Sequence, residues 1–318
     1  MIAPPSAKVE VPLAFDQRAD AAAAMVLRRL LDVIAGNREG ARSGEDIEFL
    51  HQLRIAVRRS RTVQRQLATV FPPLELPGFR VEFRWLQQAT SEARDLDVYL
   101  EDFEEMRAMV PDPFGADLEP LRQVLGHWRL AANGEAARAL SSRRAVELLS
   151  DWDALLESLL EYELGERPDA TRPIGEVSGR QIRKAYTRVR RLGRAIDADS
   201  PAEDYHELRK KGKELRYLLE LFGVSLFPAE VVGPLVKSLK ALQDVLGRHQ
   251  DREVQVALLR SLADEVSTLP GGPAALMAMG MLVDRLGLDE LAARGEFAES
   301  FAAFASSEQD GIVKDTFG

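Results

Sequence analysis

The sequence predicts an all-α fold, organised as a tandem duplicated helical bundle. Apolar residues recur at three- and four-residue steps nearly throughout the 318 residues, which is the period of an amphipathic helix. Alternating strand-like stretches bounded by turn residues are scarce. A His-x-x-Arg motif and the charged residues around it also occur twice, which indicates an internal repeat.

The first half is predicted to contain five helices, each ended by turn-forming residues. Gly36-Asn37 ends the first helix, Pro72-Pro73 the second, and Pro111-Asp112-Pro113 the third. We therefore expect helices near 16–37, 44–71, 77–109, 115–131 and 134–164.

The second half begins after a segment that is rich in glycine and proline. The segment 165–175 begins and ends with glycine, contains two prolines, and is therefore the best candidate for a linker. Further helices are expected near 176–197, 201–226, 229–264, 270–286 and 287–306. The domain organisation predicted from these elements is a first helical repeat over 16–164, a second over 176–306, and flexible ends at 1–15 and 307–318.

The two halves share polar residues at a nearly constant offset of 155 residues. Two amphipathic helices would match in their apolar positions by chance, but not in histidine, arginine and aspartate. The matching pairs are His51 and His206, Arg54 and Arg209, Arg58 and Lys213, Arg61 and Arg216, Arg28-Arg29 and Arg183-Lys184, and, with one residue inserted, Arg84 and Lys240, and Asp95 and Asp251. These pairs favour a tandem duplication.

Positive charge is concentrated on particular helices of an acidic chain. The net charge is −9, from 42 Lys+Arg against 51 Asp+Glu. Residues 177–216 nevertheless contain 12 basic and 6 acidic residues, whereas residues 217–318 contain 8 and 15. When each of these helices is projected at 100° per residue, the basic residues form a stripe on one face, and neither stripe contains a carboxylate. The first stripe consists of His51, Arg54, Arg58, Arg61 and Arg65, and the second of His206, Arg209, Lys213 and Arg216.

Such stripes predict a polyanionic ligand. Like charges on adjacent helical turns repel one another, so a sequence selected only for stability would interleave glutamate. Arginine suits phosphate because its planar guanidinium donates two hydrogen bonds to phosphate oxygens, while lysine acts as a point charge. A nearby phosphate would also favour the charged form of the two motif histidines.

Several classes of function are disfavoured by the sequence. The chain has no cysteine, which excludes disulfides, thiol catalysis, zinc ribbons and iron–sulfur clusters. The first fifteen residues lack the basic segment and apolar segment of a secretory leader, and the sequence contains no apolar run of membrane-spanning length and no phosphate-binding loop, nucleophile elbow or His-Glu-x-x-His motif. We therefore expect a cytoplasmic protein that is not an enzyme and needs neither a cofactor nor a metal.

Three alternatives stay open at this point. A histidine phosphotransfer module would use one exposed histidine with a cation beside it, although the basic stripes extend much further than one phosphoryl group requires. A helical module that binds nucleic acid or phosphoproteins would meet similar charges on its ligand. An enzyme that hydrolyses polyphosphate would need carboxylates to hold Mg²⁺, and the stripes contain none.

The repeated motifs resemble the CHAD family, in its stand-alone form. The matching segments are 51–61, 93–98, 206–222 and 242–251. The resemblance implies two pseudo-symmetric four-helix subdomains around a basic central cleft or pore that binds inorganic polyphosphate. It also implies association with polyphosphate granules, which such proteins show in bacteria and archaea.

The stripes and the resemblance together predict the ligand and its site. We expect inorganic polyphosphate as the partner, neither a membrane nor nucleic acid, and a monomer or homodimer. The predicted binding residues are Arg28, Arg29, His51, Arg54, Arg58, Arg61, Arg65, Arg84, Arg183, Lys184, His206, Arg209, Lys213, Arg216 and Lys240.

Overall fold

The computed structural model describes residues 3–197 and 199–318. Within these ranges the chain is helical and forms no β-strand, apart from one isolated bridge between Arg18 and Pro173. The all-α prediction is confirmed. The first half contains α1 (Ala19–Ser43), α2 (Ile47–Gln66), α3 (Leu76–Ala89), α4 (Ser91–Glu101), α5 (Phe103–Ala108), α6 (Glu119–Ser141) and α7 (Arg143–Ser158). The second half contains α8 (Ile174–Arg194), α9 (Ala202–Leu218), a π-helical turn (Leu219–Gly223), α10 (Val224–Leu226), α11 (Ala229–Ser267), α12 (Gly272–Phe304) and α13 (Ser307–Thr316).

Three predicted helix boundaries in the first half are wrong. The break expected between 131 and 134 falls inside α6, which continues to Ser141. Helix α1 continues past Asn37 because this buried side chain donates hydrogen bonds to the carbonyls of Val33 and Pro5, both at 2.8 Å. The single helix expected over 77–109 is instead divided into α3, α4 and α5, and the first break falls at Thr90. The Thr90 hydroxyl donates to the carbonyl of Leu86 at 3.0 Å.

A predicted break in the second half is absent. Two helices were expected on either side of position 287, but α12 runs from Gly272 to Phe304 without interruption. Its buried residues continue through the expected break on one helical face, as Leu282, Leu286 and Ala293 show. The tertiary packing of this face therefore outweighs the weak helix propensity of Gly287.

Two apolar cores hold the helices together, and both combine residues from the two sequence halves. The larger core joins the buried faces of α1, α2, α8 and α9. The smaller one joins α4 and α6 to α12 and the second half of α11. The pseudo-symmetric arrangement of the repeats 16–164 and 176–306 stays a prediction.

The structure differs from the prediction that the ends are flexible. In residues 3–15, Ala7 and Val9 are buried, and the amide of Ala7 donates to Oε1 of Gln52 at 2.7 Å. At the other end, residues 307–316 form α13, which buries Val313, and Phe317 after it is buried as well. Apolar side chains fix both segments on the larger core. Residues 1 and 2 lie outside the described residues.

Candidate functional site

The two basic helices α2 and α9 are tied together by ion pairs. Arg59 of α2 bonds to Glu220, and Arg65 lies 3.1 Å from Glu214. The side-chain amide of Gln66 also donates to Glu214 at 3.1 Å. These carboxylates were missed in the sequence, although Glu220 lies one turn after Arg216 on the same helix. Their role is to hold two cationic surfaces side by side.

A groove lies between α9 and α11, with a volume of about 420 Å³. Helix α9 lines it with Arg209, Lys213 and Arg216. Helix α11 contributes two aspartates, Asp244 and Asp251, and the second of them lies 3.2 Å from Nη2 of Arg209. The aspartate of the repeated motif therefore faces the repeated basic stripe.

Helix α2 places a further cation, Arg58, close to this groove without lining it. The charge of Arg58 acts on Lys213, together with those of Arg209 and Arg216. Burial lowers the pKa of Lys213 to about 7, and these neighbouring guanidinium groups act in the same direction. A half-buried lysine surrounded by arginines thus marks the point at which cations from both repeats converge. We call Arg58, Arg209, Lys213 and Arg216 the basic groove.

Helix α4 brings carboxyl and phenol groups close to the basic groove. Burial raises the pKa of Asp95, while the charges of Arg54 and Arg58 oppose this shift. Burial also raises the pKa of Tyr99 well above its usual range, and the charges of Asp95 and Asp251 add to this effect. Tyr99 therefore lies near the aspartate of each repeated motif. It could have been found in the sequence because it follows Asp95 by one helical turn.

Further predicted cations lie beyond the basic groove along α2. Arg61 donates to Oε1 of Gln87, and its pKa is lowered by burial and by the charges of Arg65 and Arg84. These three arginines are therefore neighbours. Lys240 is exposed on α11, one turn before Asp244, and continues the groove-facing side of that helix.

Arg54 has a structural contact that the sequence did not indicate. Its guanidinium donates from Nη1 to the carbonyl of Gln87 at 2.8 Å and to the hydroxyl of Thr90 at 2.9 Å. The side chain is buried, and burial lowers its pKa to about 10. Arg54 therefore holds the carboxyl end of α3, where a positive charge is favourable. Its predicted role as a direct ligand contact is not supported by this geometry.

The two motif histidines differ in their surroundings. His51 is partly buried, and burial followed by the charge of Arg94 lowers its pKa from the ordinary value of 6.5. It is therefore mainly neutral at pH 7 in the free protein. His206 is exposed, and its Nδ1 is hydrogen-bonded to Oε1 of Gln250. Within the described ranges, no three His, Asp or Glu side chains form a group that could hold a metal ion.

Four further predicted residues, on α1 and α8, also lie outside the basic groove. Arg28 lies 3.3 Å from Asp153 on α7, and Arg29 lies 3.7 Å from Asp32 on its own helix. Arg183 and Lys184 are exposed on α8. A helical projection identifies residues that share a face but does not identify the surface against which that face lies. The alignment of these residues with their repeat partners therefore misplaced them.

Neighbouring basic residues of α8 are neutralised outside the groove. Arg180 lies 2.7 Å from Asp169 in the linker region, and Arg190 bonds to Asp310 of α13. The inner face of α8 buries Ile182 and Tyr186 in the larger core, and the guanidinium of Arg190 lies 5.6 Å from the centre of the Tyr186 ring. The cationic side of α8 therefore forms an outer surface of the molecule.

Comparisons with known proteins agree with this architecture. The CHAD domain matches residues 25–260. An uncharacterized protein from each of two strains of Mycobacterium tuberculosis is 27% identical over 211 residues, which make up 65% of this chain and 39% of each relative's length. The match thus covers well under two thirds of the length of those relatives.

Two solved structures share the fold. The crystal structure of the CHAD domain from the plant Ricinus communis has 25% sequence identity and a TM-score of 0.78, covering 95% of this chain and 97% of that one. PptA from Streptomyces chartreusis has 18% identity and a TM-score of 0.68, covering 89% and 99%. None of the helices in the described ranges combines the length and hydropathy needed to span a bilayer. On the strength of the domain match, this chain belongs to the CHAD domain family.

Proposed function

We propose that the protein binds inorganic polyphosphate in the basic groove. The observation that carries this proposal is the convergence of Arg58 from one repeat with Arg209, Lys213 and Arg216 from the other. The link of the CHAD family to polyphosphate points to the same ligand. Such a protein is expected to accumulate at polyphosphate granules in the cytoplasm, which imaging of a fluorescent fusion alongside a granule stain would test.

The mechanism that we propose is multivalent hydrogen bonding between guanidinium groups and successive phosphates. Each arginine can donate a pair of charge-assisted hydrogen bonds to one phosphate group. A flexible, thin chain can follow the groove between α9 and α11, whereas a nucleic-acid duplex would bring its phosphates against the acidic exterior. The net charge of −9 therefore favours polyphosphate over duplex DNA.

The proposed binding is tested by its dependence on salt. Neutralising several phosphates releases condensed counterions, so the logarithm of the affinity should fall linearly with the logarithm of the salt concentration. The variant R58A/R209A/K213A/R216A should bind more weakly and with a smaller slope, while its circular dichroism spectrum stays helical. The matched control R28A/R29A/R183A/K184A removes four exposed cations that lie outside the groove and should retain both affinity and slope. Equal binding by the two variants would refute the site.

We also propose that the protein is a binder and not a hydrolase. The stripes themselves contain no carboxylate, but Asp244 and Asp251 of α11 line the groove beside them, and this favours hydrolysis as the second candidate. Phosphoryl transfer uses carboxylates to hold Mg²⁺ beside a cationic clamp. If the wild-type protein releases phosphate from polyphosphate in the presence of Mg²⁺ or Mn²⁺, and the D251N variant does not, the result would favour an enzyme. If polyphosphate stays intact, the result would favour a binding protein.

A further inference from the structure

Helix α12 is apolar on two opposite faces. Its inner face buries Leu282 and Leu286 in the smaller core. On the opposite side, the exposed fractions are 61% for Met277, 36% for Met281, 52% for Leu288 and 61% for Leu291. A helix with apolar residues all round is normally buried on all sides. An exposed apolar stripe of this kind marks an interaction surface.

The outer stripe has the spacing of a coiled-coil seam. Positions 277, 281, 284, 288, 291, 295, 298 and 302 alternate at steps of four and three, which is the pattern that two packed helices share; Asp284 and Gly295 occupy two of these positions. The stripe extends for about 38 Å, since each residue of a helix adds about 1.5 Å. The apolar members of the stripe are Met277, Met281, Leu288, Leu291, Ala298 and Ala302.

The side chains of the stripe are arranged so that a reversed copy complements it. Both methionines lie near its beginning and both alanines near its end, with the two leucines in the middle. We propose that this face forms a symmetric, antiparallel homodimer, with a two-fold axis between Leu288 and Leu291. Met277 then lies opposite Ala302 of the second copy, and Met281 opposite Ala298. A parallel pair would instead bring methionine against methionine and leave a gap between the alanines.

The polar residues of α12 are compatible with this pairing. In the antiparallel register Asp284 lies opposite Gly295, which has no side chain and leaves space for a hydrated carboxylate. Two charged residues on the flanks, Asp289 and Arg294, are already paired within one protomer. Asp289 lies 2.7 Å from Arg252, and Glu290 lies 2.6 Å from Arg294. The interface is isologous, because each residue pairs with the reversed stripe of the same surface.

Sedimentation equilibrium of the full chain tests the dimer. The wild-type protein should be dimeric at micromolar concentrations. M281E/L288E places four carboxylates in the interface and should raise the dimer dissociation constant on the order of 100-fold. The control L130E changes an exposed leucine on α6 and should leave the dimer intact. A monomeric wild type, or equal weakening by L130E, would overturn the proposal.

Cysteine cross-linking tests the relative orientation of the two helices. The chain has no native cysteine, so a disulfide can form only between introduced residues. A mixture of the single variants M281C and A298C should form a disulfide-linked dimer, because these positions oppose each other in the antiparallel pair. Each variant alone should cross-link poorly. Efficient cross-linking of M281C with itself would indicate a parallel pair and overturn the proposed register. Both substitutions lie on the exposed face, and circular dichroism verifies that the variants fold.

Discussion

The pH dependence of polyphosphate binding should be governed by Lys213. Burial lowers its pKa to about 7, and the charges of Arg209 and Arg58 act in the same direction. A bound polyanion favours the ammonium form, so it raises the pKa again and binding takes up a proton whenever Lys213 starts out neutral. The affinity should therefore fall as the pH rises through 7.

The size of the effect follows from the pKa in the free protein. With a pKa of about 7, Lys213 is about nine-tenths protonated at pH 6 and about one-tenth protonated at pH 8. The dissociation constant for long-chain polyphosphate should therefore rise about tenfold between these pH values. The variant K213R stays charged throughout this range and should bind with nearly constant affinity. Protonation of His51 should increase the affinity further only at acidic pH, because the pKa of His51 is lowered from 6.5.

Calorimetric titration measures both consequences. Repeating the titration at pH 7 in two buffers of different ionisation enthalpy gives the number of protons taken up, which should be about one half for the wild type and near zero for K213R. The control H51Q should retain the loss of affinity above pH 7. An unchanged pH profile in K213R would refute the assignment of this titration to Lys213.

Three substitutions test buried polar contacts of the fold, each by urea denaturation. E220Q should lower the free energy of unfolding by about 3 kcal/mol, because Arg59 is left buried without its carboxylate partner. D20A should cost about 3–5 kcal/mol by the same reasoning, since fully buried Asp20 pairs with Arg167 at 3.2 Å. R54L should cost about 1–3 kcal/mol by removing donors from the end of α3, yet weaken polyphosphate binding less than R209A does.

Two exposed residues provide the controls for these substitutions. E299Q removes a surface carboxylate from α12, and R29L removes an exposed cation from α1. Each should change the free energy of unfolding by no more than about 0.5 kcal/mol. If the controls lowered the free energy of unfolding as much as E220Q or D20A, the loss of stability would be due to the change in net charge and not to the loss of the buried pair.

The helices and the basic stripes of α2 and α9 could be predicted because both depend on local periodicity. An apolar face with Leu53 and Val57 must be buried, and the arginines on the adjacent face then stay together on one side of the helix. The repeated histidine and arginine motif gave the family for the same reason, since it lies within single helices.

The partners of these stripes could not be predicted, because they depend on contacts between distant segments. Glu220 is separated from Arg59 by 161 positions in the chain, and nothing in the local pattern links them. The exposed position of Lys184 likewise follows from the burial of Ile182 on the opposite face of α8. The sequence therefore identified the cationic residues but did not show which of them lie close together in the fold.

The repeated motif also shows how equivalent residues acquire different roles. Arg54 and Arg209 occupy the same position in the two repeats, but the segment that each one faces differs in its backbone. After Gln87 the first repeat breaks at Thr90, and Arg54 binds the carbonyl of Gln87. The equivalent residue, Gln243, lies inside the continuous helix α11, where backbone carbonyls are already used by the helix.

This difference leaves Arg209 available to the groove. Since no helix end draws it inward, its guanidinium is only partly buried and pairs with the exposed Asp251 at 3.2 Å. Exposed ion pairs of this kind contribute little to stability, so a phosphate can replace the carboxylate at small cost. The helix break in the first repeat thus gives Arg54 a structural contact in place of a groove-facing position, and the second repeat supplies three of the four cations of the basic groove.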